Sequence, residues 1–121
     1  MVKRTGPTNK YLKELIIKLK KLAKANNAKI WEDVALKLAK PTRKRIEVNI
    51  SKINRYANEN DIIVVPGVVL GAGSLTKKVT VAAWRFTGRA KEKIVAVGGK
   101  AISIEELTKT NPKGSGVRIF A

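Results

Sequence analysis

The sequence predicts an α/β fold: a compact single domain of strand–helix units with a basic helical N-terminal region and arm. Three observations point there. Apolar residues within 9–40 recur at the three-and-four spacing of amphipathic helices. From Ile62 onward, short β-branched runs alternate with helical segments and glycine-rich turns. With 121 residues, 44% of them hydrophobic, the chain is long enough and apolar enough to bury one core. A single domain over 1–121 is expected, with 1–60 mainly helical and basic and 61–121 forming the α/β half.

The elements follow in order. Lys3 and Arg4, beside Gly6 and Pro7, make residues 1–8 an extended arm, and Asn9 suits a helix N-cap. A helix to about Ala25 gathers Tyr11, Leu12, Leu15, Ile16, Leu19, Leu22 and Ala23 on one face. Lys10, Lys13, Lys20, Lys21 and Lys24 occupy the opposite face, with Lys18 at its margin. Ile17 falls among these lysines and is expected to be exposed unless a partner covers it. Asn26-Asn27 makes a turn into a second helix, about 29–40, which buries Ile30, Trp31, Val34, Ala35 and Leu38 and ends at Pro41. Arg43-Lys44-Arg45 is a basic junction. Beyond it the pattern is double: Ile46, Val48 and Ile50 alternate like a strand, whereas Ile46, Ile50, Ile53 and Ala57 fit a helix. An extended piece to about Asn49, then a helix from Ser51 to about Asn58, is the favoured division.

Ile62-Ile63-Val64-Val65 reads as a buried strand, followed by a Pro66-Gly67 turn and Val68-Val69-Leu70. A glycine-rich loop, Gly71 to Thr76, leads to Lys77-Lys78 and a strand from Val79 to Phe86. Thr87 caps a helix of about Gly88 to Val97, which Gly98-Gly99 ends in the manner of an αL cap. Ala101-Ile102 is a short strand, and Ser103-Ile104-Glu105-Glu106 opens a brief helix that Asn111-Pro112 closes. Val117 to Phe120 is a last strand.

Charge bounds the function. Twenty-six lysines and arginines face nine acids, a formal +17, and the chain has neither histidine nor cysteine. So large an excess calls for a polyanionic partner. Histidine is the usual proton carrier near neutral pH, and cysteine and histidine supply most transition-metal ligands. An enzyme, a metal site and a cofactor are therefore not expected, and no disulfide is available. The longest uncharged stretch, Ile62 to Thr76, is broken by Pro66, Gly67, Gly71 and Gly73 and is too short for a membrane helix. No apolar run follows the charges at the N-terminus as a secretory signal would, so a soluble cytoplasmic protein is expected.

Each motif has a plain reading and a functional one. A solvated helix face normally interleaves acids with its lysines, yet Glu14 is the sole acid from Lys10 to Ala25. Like charge offset by a single acid suits a surface that contacts phosphates. Gly71-Ala72-Gly73-Ser74-Leu75-Thr76-Lys77-Lys78 fails both the dinucleotide fingerprint and the P-loop pattern, but a tight loop next to two lysines suits close approach to a phosphodiester. Glu105 and Glu106, like Glu32 and Asp33, sit where acids complement a first helical turn, so neither pair is read as catalytic. The helix-turn-helix reading of 9–40 is disfavoured because the second helix offers Glu32 and Asp33 where a DNA reader needs Arg, Lys, Asn or Gln. Trp31 and Trp84, among apolar neighbours, are read as core, and Tyr56, near Lys52 and Arg55, as the better candidate for base stacking.

Several segments carry a resemblance when taken together and in order. They are Lys3-Arg4-Thr5-Gly6-Pro7-Thr8-Asn9, Ile30-Trp31, Arg45-Ile46-Glu47-Val48-Asn49-Ile50-Ser51 and Asn54-Arg55-Tyr56. Val65-Pro66-Gly67, Val69-Leu70-Gly71-Ala72-Gly73, Ala96 to Gly99 and Asn111-Pro112-Lys113-Gly114-Ser115-Gly116 continue the set. The whole chain resembles the archaeal and eukaryotic large-subunit ribosomal protein eighteen family. Its half from Asp61 also resembles the C-terminal part of bacterial large-subunit ribosomal protein fifteen. The resemblance implies a non-catalytic, cytoplasmic ribosomal protein without cofactor, metal, membrane or small-molecule substrate. Its implied partners are large-subunit ribosomal RNA and neighbouring ribosomal proteins.

By position, the resemblance puts RNA against the arm (Lys3, Arg4, Thr5, Thr8, Asn9), the Arg43, Lys44 and Arg45 junction, and the Asn49 to Arg55 stretch with Lys52, next to the stacking candidate Tyr56. It does the same for the loops bearing Gly73, Lys77 and Lys78 and bearing Lys113 and Gly114, beside the lysine face of Lys10, Lys13, Lys20, Lys21 and Lys24. Lys10 and Lys29 depart from the prolines expected at those helix starts, and Gly88 is an unusual residue in the first turn of its helix. A DNA-compacting, chromatin-like protein shares the charge argument and stays open as the alternative.

Overall fold

The computed structural model describes residues 10–39, 46–114 and 116–120. Among them the chain forms α1 (Lys10–Asn26), α2 (Lys29–Leu38), β1 (Ile46–Asn49), α3 (Ile50–Tyr56), β2 (Ile62–Leu70), β3 (Thr80–Phe86), α4 (Gly88–Ala96), β4 (Lys100–Ser103), α5 (Ile104–Thr110) and β5 (Val117–Ile119). Every strand pair is parallel. β3 lies along one edge of β2, and β4 lies beyond it. The other edge of β2 is shared: β5 pairs with Ile62 to Val64 and β1 with Gly67 to Leu70.

A parallel sheet needs both faces covered, which explains why β2 is apolar without interruption. Ile63 and Val65 join Val81, Ala83, Ile50, Ile53, Ala90 and Ile94 in the core under α3 and α4. Val64 and Ala82 belong to a second core on the other face. There α1 contributes Leu12, Leu15, Ile16 and Leu19, α2 contributes Trp31, Val34, Ala35 and Leu38, and α5 contributes Ile104 and Leu107.

Local chemistry sets the element ends. Asn27, with φ of 51°, turns α1 into α2. Thr87 accepts from the Ala90 N–H at 3.3 Å to cap α4, and Gly88 stands inside that helix. At its other end Gly98, with φ of 84°, donates to Val95 and Gly99 donates to Ile94, the paired bonds of a Schellman close. Ser103 accepts from the Glu106 N–H at 3.1 Å, capping α5 as its sequence predicts.

Three expectations change. The Pro66-Gly67 turn is instead a bulge inside one continuous β2, where the register against β3 shifts between Val65 and Val68. Proline has no N–H for a ladder and is accommodated at such a bulge. A Cβ on Gly67 would stand 2.0 Å from the Ile46 carbonyl oxygen, so glycine lets β1 approach. The second helix stops at Leu38, with Ala39 as its C-cap, before Pro41, which lies outside the described residues. Tyr11 is 74% exposed, because α1 buries a narrower stripe than its full apolar set. The core reading of both tryptophans holds: Trp31 is wholly buried and donates its indole N–H to the Pro112 carbonyl at 2.7 Å, and Trp84 is half-buried against the core of that face.

Candidate nucleic-acid interface

Those predicted contact residues that are described fall on two faces of the sheet. On one, burial of Leu12, Leu15, Ile16 and Leu19 leaves Lys13, Lys20, Lys21 and Lys24 exposed along α1. Ile17 is 54% exposed among them, as expected. At the α1–α2 corner Lys20, Lys21 and Lys24 meet Lys29 around an open cavity of about 450 Å³ that also includes Asn27 and Glu32. Lys18 leaves this group: its ammonium pairs with the Glu105 carboxylate at 2.5 Å, joining α1 to α5. Hydrogen bonding and charge attraction in that pair raise the Lys18 pKa and lower that of Glu105.

On the opposite face, α3 carries Lys52, Arg55 and Tyr56, all exposed. The connection from β2 to β3 runs back along this helix and is fastened to it and to α4 at successive points. The Ser51 N–H donates to the Ala72 carbonyl at 3.1 Å, and the Lys93 ammonium donates to the Gly71 carbonyl at 2.6 Å and to that of Gly73. The Asn54 side-chain oxygen accepts from the N–H and hydroxyl of Thr76 at 3.0 and 3.1 Å. Gly73 adopts φ of 96° and packs so near Ser51 that a Cβ would lie 2.4 Å from its Cβ.

The two loop lysines differ. Lys77 donates to the Ala57 carbonyl at 2.7 Å, so it fastens the loop, whereas Lys78 is exposed while its backbone N–H is held by the Glu59 carboxylate. Below them the Asp61 carboxylate accepts from the Asn58 N–H at 2.9 Å and from Arg118 at 2.8 Å. Those bonds, the Asn58 N–H foremost, hold its pKa below the ordinary carboxylate value.

Asn49 is half-buried at the start of α3 and its side chain makes no cap bond there. Lys113 is exposed in the α5–β5 loop, and Gly114, with φ of 69°, lies against Ile30 on α2. The α5–β5 loop thus belongs with the α1–α2 face and not with the Gly73 loop. Lys3, Arg4, Thr5, Thr8, Asn9, Arg43, Lys44 and Arg45, and the side chain of Lys10, lie outside the described residues. Sequence reasoning missed Lys29, Asn54 and Lys93 as organisers of these surfaces. Asn54 stood within a recognisable motif, but nothing local to Lys93 signals the carbonyls it reaches.

The acids take structural places. Glu32 lies in the first turn of α2, Asp33 pairs with Lys37 at 3.1 Å, and Glu105 and Glu106 lie in the first turn of α5. Among the described residues no group of three or more His, Cys, Asp or Glu gathers as a metal site, and no helix is long and apolar enough to cross a membrane.

Comparison with known proteins supplies the remaining finding. A family model described as ribosomal protein 60S L18 and 50S L18e matches residues 2–121. The chain is 58% identical over 120 residues to the large ribosomal subunit protein eL18 of Methanococcus maripaludis, covering 99% of this chain and 100% of that protein. It is 48% identical over 115 residues to the protein of the same name from Pyrobaculum aerophilum, covering 95% of this chain and 94% of that one. The corresponding Methanopyrus kandleri protein is 48% identical over 121 residues, at 96% and 95% coverage.

Proposed function

Because the chain belongs to the family of ribosomal protein 60S L18 and 50S L18e, we propose that it is a non-catalytic structural constituent of the large ribosomal subunit, bound to large-subunit ribosomal RNA. The observation that carries the RNA-binding part is the α1 face, where Lys13, Lys20, Lys21 and Lys24 stand exposed over a buried apolar stripe. Lysines there neutralise phosphates and release counterions, so affinity depends on salt. The α3 surface of Lys52, Arg55 and Tyr56 supplies a second contact, with Tyr56 available to stack on an unpaired base. The arm residues Lys3, Arg4, Thr5, Thr8 and Asn9, the Arg43 to Arg45 junction, Lys78 and Lys113 extend the contact in this reading. Neighbouring ribosomal proteins and the cytoplasmic ribosome are the setting.

A salt series with large-subunit ribosomal RNA tests the reading. The logarithm of affinity is expected to fall steeply and linearly with the logarithm of salt concentration. Replacing Lys20, Lys21 and Lys24 by Gln is expected to flatten that slope by roughly two to three units. A flat response in the unaltered chain, or an unchanged slope in the triple variant, contradicts the proposal. Duplex DNA at equal salt provides the second arm: equal affinity for it favours the chromatin-like alternative.

A further inference from the structure

We infer that a groove between the start of α1, the end of β3 and the start of α5 is a docking site for a basic, partly apolar segment of another protein of the large subunit. The inference rests on the ribosomal reading and adds to it a surface that does not take RNA. The groove encloses about 450 Å³ over a floor that includes the buried Leu15 and Ile104. Tyr11, 74% exposed, and the half-buried Trp84 stand at its sides. Ile17, 54% exposed, closes the rim where this flank of α1 meets the lysine face. Single exposed apolar residues need no explanation, but aromatic and aliphatic surface gathered in one concavity marks a contact with another macromolecule.

Charge decides which macromolecule. The groove is lined by two carboxylates, Glu14 and Glu105, and by one ammonium, Lys18, which Glu105 already holds. The cavity at the α1–α2 corner has the opposite balance, with Lys20, Lys21, Lys24 and Lys29 against Glu32. Glu14 is also the only acid on α1, in a chain of formal charge +17. A phosphate brought into the groove meets the Glu14 carboxylate, whereas a partner's Lys or Arg is attracted by it. The aromatic rings favour the same partner. Trp84 already carries the Arg85 guanidinium 5.8 Å from its ring centroid, and the exposed Tyr11 ring offers a similar face to an incoming cation. Apolar side chains of that segment would cover Tyr11, Ile17 and Trp84.

Photocrosslinking in assembled large subunits tests the inference. The full chain carries p-benzoylphenylalanine in place of Tyr11 in one variant and of Lys21 in another, both exposed positions. On irradiation the reporter at Tyr11 is expected to join a protein segment in which Lys and Arg outnumber Asp and Glu, and the reporter at Lys21 to join ribosomal RNA. Adding Glu14→Lys is expected to lower the first yield about tenfold, because a like charge then faces the partner, and to leave the second unchanged. A crosslink from Tyr11 to RNA, to residues 1–9 of this chain or to an acidic segment overturns the docking site. So does the absence of any crosslink there, or a yield indifferent to Glu14→Lys. None of these results touches the RNA reading while the reporter at Lys21 still joins RNA. A basic protein segment at Tyr11 with no RNA at Lys21 overturns the RNA reading and leaves the docking site standing. A chain absent from large subunits overturns both.

Discussion

Single side chains in this protein do their structural work at the seams between elements. Asp61 is the clearest case, since its carboxylate holds the Asn58 N–H at the end of the α3–β2 turn and the Arg118 guanidinium from β5. These contacts hold its pKa below the ordinary value of 3.8, so the folded chain binds that proton more weakly than the unfolded chain. The stability Asp61 contributes is therefore complete above the unfolded value and is lost as pH falls through the lowered folded value. Asp61→Asn keeps an acceptor for the Asn58 N–H but removes the charge facing Arg118. The unaltered chain is expected to melt higher than this variant at pH 7, with the gap closing as pH falls from about 4 toward 2. Thermal melts followed by circular dichroism check this; a gap independent of pH contradicts it.

At the scale of elements, β2 depends on two strands meeting one of its edges, and Gly67 is where β1 arrives. A methyl group there would meet the Ile46 carbonyl oxygen at 2.0 Å, and backbone cannot move aside as a flexible side chain can. Gly67→Ala is expected to destabilise the fold by about 3 kcal/mol. Gly88→Ala meets nothing within 4 Å and restricts the unfolded chain, so it is expected to stabilise by up to about 1 kcal/mol. Denaturant titration of the two variants reads both signs. The contrast marks what was legible in the sequence. α1, α2 and α4 could be read because their apolar spacing and caps are local, and so could the lysine face that the spacing of α1 exposes. Pro66-Gly67 resembled a turn because the reason it is not one, the arrival of β1, lies about twenty residues away in the chain. Lys93 was illegible as part of the loop for the same reason: its two carbonyl partners precede it by 22 and 20 residues.

Over the whole molecule, the sheet ties α1, α2 and α3 to the strands and helices from Ile62 onward. α1 and α2 cover Val64 and Ala82 on one face, while Ile50 and Ile53 of α3 pack with Ile63, Val65 and Val81 on the other. β1 also completes an edge of β2. Removing residues 1–60 would therefore bare apolar surface on both faces and unpair part of one edge of the central strand. Burial of that surface is the main favourable term in folding, at about 25 cal/mol per Å². We propose that the chain is one cooperative unit: it is expected to unfold in a single transition, with far- and near-ultraviolet circular dichroism changing together. The fragment 61–121 alone is expected to lack fixed tertiary structure. Two separated transitions in the full chain, or a fragment with native-like amide dispersion, would instead divide it at residue 60 and leave the lysine face on a unit of its own.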